Sequence, residues 1–137
     1  MATWKQFEDE APELAAEIRA RFEAHETHVL ATLRKDGSPR VSGSEVDFQG
    51  DHLTFGSMPN AVKARDLQRD ARFAIHAHPA TGDAKITGIA AEVSTGDSHA
   101  FVVDLTEAVL TSVDHEAGEL IIQLWRPGQD IKVTRRK

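Results

Sequence analysis

The chain has no cysteine and no tyrosine among its 137 residues, and only two tryptophans and two methionines. The missing cysteine excludes thiolate nucleophiles, disulfides and thiolate metal sites, and accords with a reducing compartment. No apolar run nears the roughly 18 residues that a membrane span requires. The start, Met1-Ala2-Thr3-Trp4-Lys5-Gln6-Phe7-Glu8, also lacks the basic-then-apolar pattern of a signal peptide. A cytoplasmic protein with no membrane partner is therefore expected. A basic surplus is missing too: 22 acidic residues face 16 basic ones, for a formal net charge of −6. That balance argues against a nucleic-acid partner.

What is present is an ordinary globular mixture, 40% hydrophobic and 28% charged, long enough for one core. The whole chain, 1–137, reads as a single domain. Its basic residues cluster: Arg34, Lys35 and Arg40; then Lys63, Arg65, Arg69 and Arg72; then Lys132 to Lys137. Local positive patches on an acidic protein suit a small anionic ligand.

Apolar residues Ala11, Leu14, Ala15, Ile18 and Phe22 recur at helical spacing, with Pro12 and Glu13 in the first turn. A shorter helical piece, Thr3 to Glu10, precedes them. From His28 the period changes to that of strands. His28–Leu33, Arg40–Phe48 and His52–Gly56 read as a three-strand antiparallel meander, turned at Asp36-Gly37 and at Gln49-Gly50-Asp51. A short helix from Ala61 to about Arg69 follows, with Asn60 as its expected N-cap. Further strands are expected at Arg72–His78, Lys85–Val93, Phe101–Val113 (one or two) and Glu119–Trp125. Six or seven strands with one crossover helix predict a mainly β, closed or nearly closed barrel.

The segment Thr54 to Arg69 carries the strongest chemical signal. A strand runs into a helix whose first-turn amides lack intrahelical acceptors, and Lys63 stands in that first turn. Ser57 offers a hydroxyl and Arg65 or Arg69 a guanidinium, the donor set of a phosphate site. The same pattern also describes a capped surface helix with solvated basic side chains. His76-x-His78 would put two imidazoles about 7 Å apart on one strand face, a pair that His99 or His115 would have to complete; the spacing does not require a metal, and none is expected. Ser44 with a histidine and an aspartate lacks any nucleophile-elbow signature. No catalytic acid or base stands out.

Val29-Leu30-Ala31-Thr32-Leu33, Asp36-Gly37-Ser38-Pro39-Arg40 and Lys63-Ala64-Arg65-Asp66-Leu67-Gln68-Arg69-Asp70-Ala71-Arg72, in this order, resemble the pyridoxamine-phosphate-oxidase-like split-barrel family. The resemblance covers roughly residues 10 to 95. It implies a split β-barrel with an N-terminal helix and a short crossover helix, and FMN, or alternatively the deazaflavin F420, as cofactor. It also implies a homodimer with cofactor sites at the subunit interface. Lys63 would match the phosphate-binding lysine. Arg40, Ser42 and Ser44 would lie beside the ring system, and Ser57 and Met58 at the end of the strand facing it. Asn60 and Arg65 would assist at the phosphate, and Trp125 with the C-terminal basic strand would close the partner's site. Val62 departs from the arginine that FMN users of the family often carry before the lysine, which opens the way to F420. No histidine follows Trp125, so vitamin B6 oxidation is not expected. The implied activity is hydride transfer between the cofactor and a small organic substrate, with the cofactor supplying the chemistry. A non-catalytic flavin carrier on the same barrel is the alternative, with haem held by His76 or His78 a further one.

Overall fold

The computed structural model describes residues 1–93 and 96–137. Two helices come first, α1 (Trp4–Glu10) and α2 (Pro12–Glu23). Thr3 caps α1, its hydroxyl accepting the Gln6 N–H at 3.0 Å, and Pro12 opens α2 where its missing N–H is harmless. Both bury the faces that their periodicity marks: Trp4 and Phe7, then Leu14, Ala15, Ile18 and Phe22.

The strands are β1 (His28–Leu33), β2 (Pro39–Ser44), β3 (Val46–Gln49), β4 (His52–Ser57), β5 (Arg72–His76), β6 (Asp83–Glu92), β7 (His99–Asp114), β8 (Glu119–Trp125) and β9 (Lys132–Arg136). Helix α3 (Val62–Arg69) crosses from β4 to β5. All pairings are antiparallel, in the order β2-β1-β5-β6-β7-β4-β3, with β8 on β7 and β9 on β8. The first and last strands of that order, β2 and β3, are joined in the chain by Glu45 alone. One bent stretch thus supplies both ends of the ladder. Counted as one stave, it makes a six-staved split barrel with β8 and β9 as an added hairpin, a mainly β fold with its helices where the sequence puts them.

Several boundaries differ from the sequence reading. Arg40–Phe48 is not one strand, because the chain turns at Glu45 and β3 leaves β2 to pair with β4. The expected meander is therefore split across the barrel. The fourth strand stops at His76, where the His78-Pro79 turn begins. Phe101–Val113 is one strand of sixteen residues, extended to His99–Asp114. Its first part pairs with β4 and its last part with β8, while β6 runs along its other side.

The register between β6 and β7 shifts at Thr87/Gly88, where Thr106 is the extra residue. Such a bulge bends and twists a ladder locally, which lets β7 serve two neighbours in succession. Inside, Phe55 packs on Phe73 and Phe101 at ring distances of 5.3 and 5.4 Å, with Leu30, Leu53, Ile75, Ile86, Val103 and Leu105 around them. A second layer seats α1 on the sheet, where Phe7 stacks on Trp125 at 4.5 Å. Glu10 completes it, accepting the Gly128 N–H at 2.7 Å and the Trp125 indole N–H at 3.3 Å. The Gly128 bond is the main reason its carboxyl titrates below the usual range.

At the bulge, Gly88 lies so close to Asp104 that a methyl group would run into the Asp104 carbonyl. Backbone cannot yield as a flexible side chain would. Gly88→Ala should therefore lower stability by roughly 1–3 kcal/mol, read as a fall in melting temperature; an unchanged value would mean that the bulge relaxes freely.

Candidate functional site

Helix α3 has a cavity on each side. The first, about 470 Å³, is lined by Thr27, Gly43, Ser44, Glu45, Gly56, Ser57, Met58 and Lys63. Its floor is largely backbone, because Gly43 on β2 and Gly56 on β4 carry no side chain. Neither has spare room behind it: a Cβ on Gly56 would come within 2.9 Å of the His99 carbonyl, and one on Gly43 within 3.2 Å of Thr27. Lys63 donates to the Gly43 carbonyl at 2.7 Å. Burial holds its pKa below the ordinary lysine value, and the nearby Glu45 carboxylate offsets part of this. Among the described residues Lys63 has no ion-pair partner, and the amides of Val62 and Lys63 have no backbone acceptor. A partly dried cation beside two free helix-start amides is a favourable place for an anion.

The loop leading into α3 is fixed by groups outside the cavity. Asn60 adopts a left-handed backbone (φ 61°), a region that asparagine tolerates better than most residues. Its N–H is accepted by His99 Nε2 at 3.2 Å. His99 Nδ1 in turn faces Glu92 at 2.7 Å, and Gln68 of α3 donates to the same carboxylate at 3.0 Å. His99 thus ties β6, β7, α3 and the Ser57–Ala61 loop together. His99 is also the main reason that the Glu92 carboxyl sits below its usual range.

The second cavity, about 610 Å³, is a groove lined by Arg34, Lys35, Asp36, Arg40, Val62, Arg65, Asp66 and Arg69. At its base lies Asp66, whose side chain is only 3% exposed. The carboxylate accepts from Thr32 (2.8 Å), Arg40 Nε (2.8 Å) and Arg69 (2.9 Å). Burial alone would raise its pKa; the donors Arg40, Thr32 and Arg69 outweigh it and hold the group below the ordinary aspartate value.

Ser44, Ser57, Met58 and Lys63 are brought together in the first cavity. Arg65 and Arg40 instead line the groove, with Arg40 spent on Asp66. Ser42 pairs with Leu30 across the ladder, and its hydroxyl is buried without a partner, so it faces the core. Asn60 is not the helix cap: Ala61 holds that position and α3 begins at Val62. Trp125 is fully buried against Phe7 and is removed from the site, since a closed core indole cannot reach a neighbouring chain. Nor do His76 and His78 share a strand face. His76 bonds the Ala77 carbonyl and Asp83, whereas His78 caps the following turn and stacks on His25 at 3.7 Å. Among the described residues no three metal-binding side chains converge. The sequence reading missed Thr27, Glu45, Gly56 and the positioning role of His99. Glycines recurring in strands are the one signal that could have flagged part of this set.

A split barrel with a backbone-floored cavity and a lysine at a helix start defines the class. Residues 14–121 match the sequence profile of the pyridoxamine 5'-phosphate oxidase family, and the chain belongs to that family. No curated protein matches it in sequence. In structure it is similar to PhzG from Burkholderia lata 383, solved with tetrahydrophenazine-1-carboxylic acid: 14% identity over 92% of this chain and 89% of that one, TM-score 0.70. It is also similar to a pyridoxamine 5'-phosphate oxidase-related, FMN-binding protein from Nostoc punctiforme PCC 73102, at 11% identity, coverage of 89% and 94%, and TM-score 0.68. An F420 reductase aligns at 19% identity over 58% of this chain and 86% of that one, with TM-score 0.50. At these identities the likenesses establish the fold.

Replacing the buried carboxylate should be costly. Asp66→Asn leaves Arg40 and Arg69 facing each other without their anion, and stability at pH 7 should fall by about 2 kcal/mol. Because the folded pKa of Asp66 is depressed, its contribution is complete above the unfolded value of about 4 and is lost as pH falls through the lower folded value. Urea unfolding at pH 7 and in acid should therefore show a smaller acid loss in Asp66→Asn than in the wild type; equal losses would assign the acid sensitivity to other groups.

Proposed function

We propose that this chain binds a flavin-type cofactor, FMN first, and works as an oxidoreductase on a small organic substrate. The observation that carries the reading is Lys63, partly buried at the start of α3 above a glycine floor, with no carboxylate in contact among the described residues. The residues fit the group. Lys63, Ser57 and the amides of Val62 and Lys63 would hold its phosphate, and the side-chain-free faces of Gly43 and Gly56 would admit a planar ring. When bound, the ring supplies the hydride chemistry. The protein's part is to orient it and to hold the loop through His99. F420 is the second candidate, favoured by the aliphatic Val62 ahead of Lys63. Membership of the family and the FMN-binding relative from Nostoc support the choice of FMN.

We further propose a homodimer with the cofactor at its interface. Large apolar side chains stand exposed close to the cavity: Met58 at 78%, Val41 at 69% and Val62 at 51%. Such a grouping on a small protein is characteristic of an interaction surface.

An absorption spectrum of the purified protein, with FMN titration, tests the first proposal. Lys63→Ala should weaken FMN binding by roughly 10- to 100-fold, the loss of one charge-assisted hydrogen bond, with an unchanged circular dichroism spectrum. A colourless protein that binds neither FMN nor F420 overturns the reading, and binding without turnover across electron donors and acceptors would leave a carrier. For the assembly, light scattering should give twice the chain mass, and Met58→Asp should shift it toward the single-chain mass. A wild-type monomer at high concentration would refute the dimer.

A further inference from the structure

The ring of His99 meets two neighbours whose hydrogen-bonding roles are fixed. The backbone N–H of Asn60 only donates, so Nε2, 3.2 Å away, must accept and carry no proton. The Glu92 carboxylate, 2.7 Å from Nδ1, accepts, so Nδ1 must carry the proton. Glu92 is kept ionised, its carboxyl held below the ordinary range first by His99 and then by Gln68. Together the two contacts select the neutral ring with its proton on Nδ1. An imidazolium would turn a second N–H against that of Asn60, donor against donor, while keeping Glu92 on its other nitrogen. Acid therefore breaks one contact of the pair and spares the other.

What the lost contact controls is the entry to α3. His99 stands opposite Ser57 in the β4–β7 ladder, and the chain then turns through Met58–Ala61, where the Ala61 N–H donates to the Met58 carbonyl at 3.2 Å. Asn60 sits in that turn at φ 61°, tied by its N–H to the ring. Ser57 and Met58 precede this tie and Lys63 follows it, and all three line the first cavity. The ring is only 18% exposed, so water has limited access to it. Among the described residues, Glu92 of β6 is the only charged side chain hydrogen-bonded to the ring. Gln68 of α3 and Ser57 of β4 are neutral, Lys63 is turned to the Gly43 carbonyl, and Arg65 and Arg69 line the opposite side of the helix.

We propose that His99 is a positioning residue for ligand binding beside Lys63 and holds the loop only as the neutral ring, so that ligand binding and protonation of His99 oppose each other. This role presupposes that the cavity takes an anionic ligand; the tie itself belongs to the free protein. By linkage, a ligand that needs the tied loop binds more weakly as pH falls through the imidazole range, about 8 to 5, and its binding releases a proton.

NMR of the full-length protein without ligand tests the tie. At about pH 8 Nδ1 should be protonated and Nε2 not, and the Asn60 amide should shift in step with the ring as it gains its second proton. Titrations with FMN, and separately with inorganic sulfate, whose charge is constant over this range, then read the coupling. The FMN phosphate itself titrates near pH 6, so the reference is His99→Gln, whose oxygen can accept the Asn60 N–H and whose amide can donate to Glu92 without gaining charge. Between about pH 8 and pH 5 the wild type should lose roughly tenfold more affinity than His99→Gln, the worth of one hydrogen bond. A merely structural histidine would leave the two profiles parallel. The difference seen with sulfate in a protein that binds no FMN would sink the cofactor reading and keep this one. An Asn60 amide indifferent to the titration of His99, an Nδ1 without its proton, or a wild type that loses no more affinity than His99→Gln for either anion would overturn the proposal.

Discussion

The buried carboxylate of Asp66 is the constraint on which the site geometry depends. It ties α3 to the β1–β2 hairpin, accepting from Thr32 on β1, Arg40 on β2 and Arg69 at the end of its own helix. An eight-residue helix is marginal by itself, and α3 buries only Ala64, Asp66 and Leu67. Its position against β1 and β2 therefore leans on polar contacts, of which the buried Asp66 carboxylate makes three. Those contacts fix where the helix start, and with it Lys63, meets the Gly43 carbonyl.

Around this anchor the two sides of α3 divide the work. One side offers backbone, with glycines from two strands, a serine hydroxyl and a single partly dried lysine. The other offers charge, a cluster of guanidiniums ordered from below. The first arrangement favours shape and a single anionic point, and the second favours spread negative charge. The first is held from outside its lining, by His99 through Asn60, and the second by Asp66 at its own base.

Much of this was legible in the residues. The period of Leu14, Ile18 and Phe22, the Asp36-Gly37 turn and the run from Val29 to Leu33 each carry a local signal strong enough to survive packing. The break at Glu45 was not legible, because Arg40 to Phe48 alternates without interruption and only the closing of the barrel forces the chain to change partners. Asn60 read as a cap because its side chain suits that role; the structure uses its tolerance of a positive φ instead. Trp125 read as a surface aromatic beside basic residues, yet its indole N–H finds Glu10, 115 positions away, a pairing that no local pattern announces. Tertiary contact decided each of these.

The added β8–β9 hairpin explains the basic end of the chain in another way. Because one bent stretch forms both ends of the barrel ladder, the outermost strand of the added hairpin is β9, whose ladder partner is β8. Its sequence, Lys132-Val133-Thr134-Arg135-Arg136, places three cations on a strand of five residues. Like charges along a backbone edge that is unpaired among the described residues repel a second copy that would add itself there, a common guard against strand-to-strand stacking. Arg135 is partly neutralised by Asp114 at 3.2 Å, which ties the hairpin back to β7. Charge on this strand thereby disfavours growth of the sheet at β9, beside the exposed Val133 and Leu120.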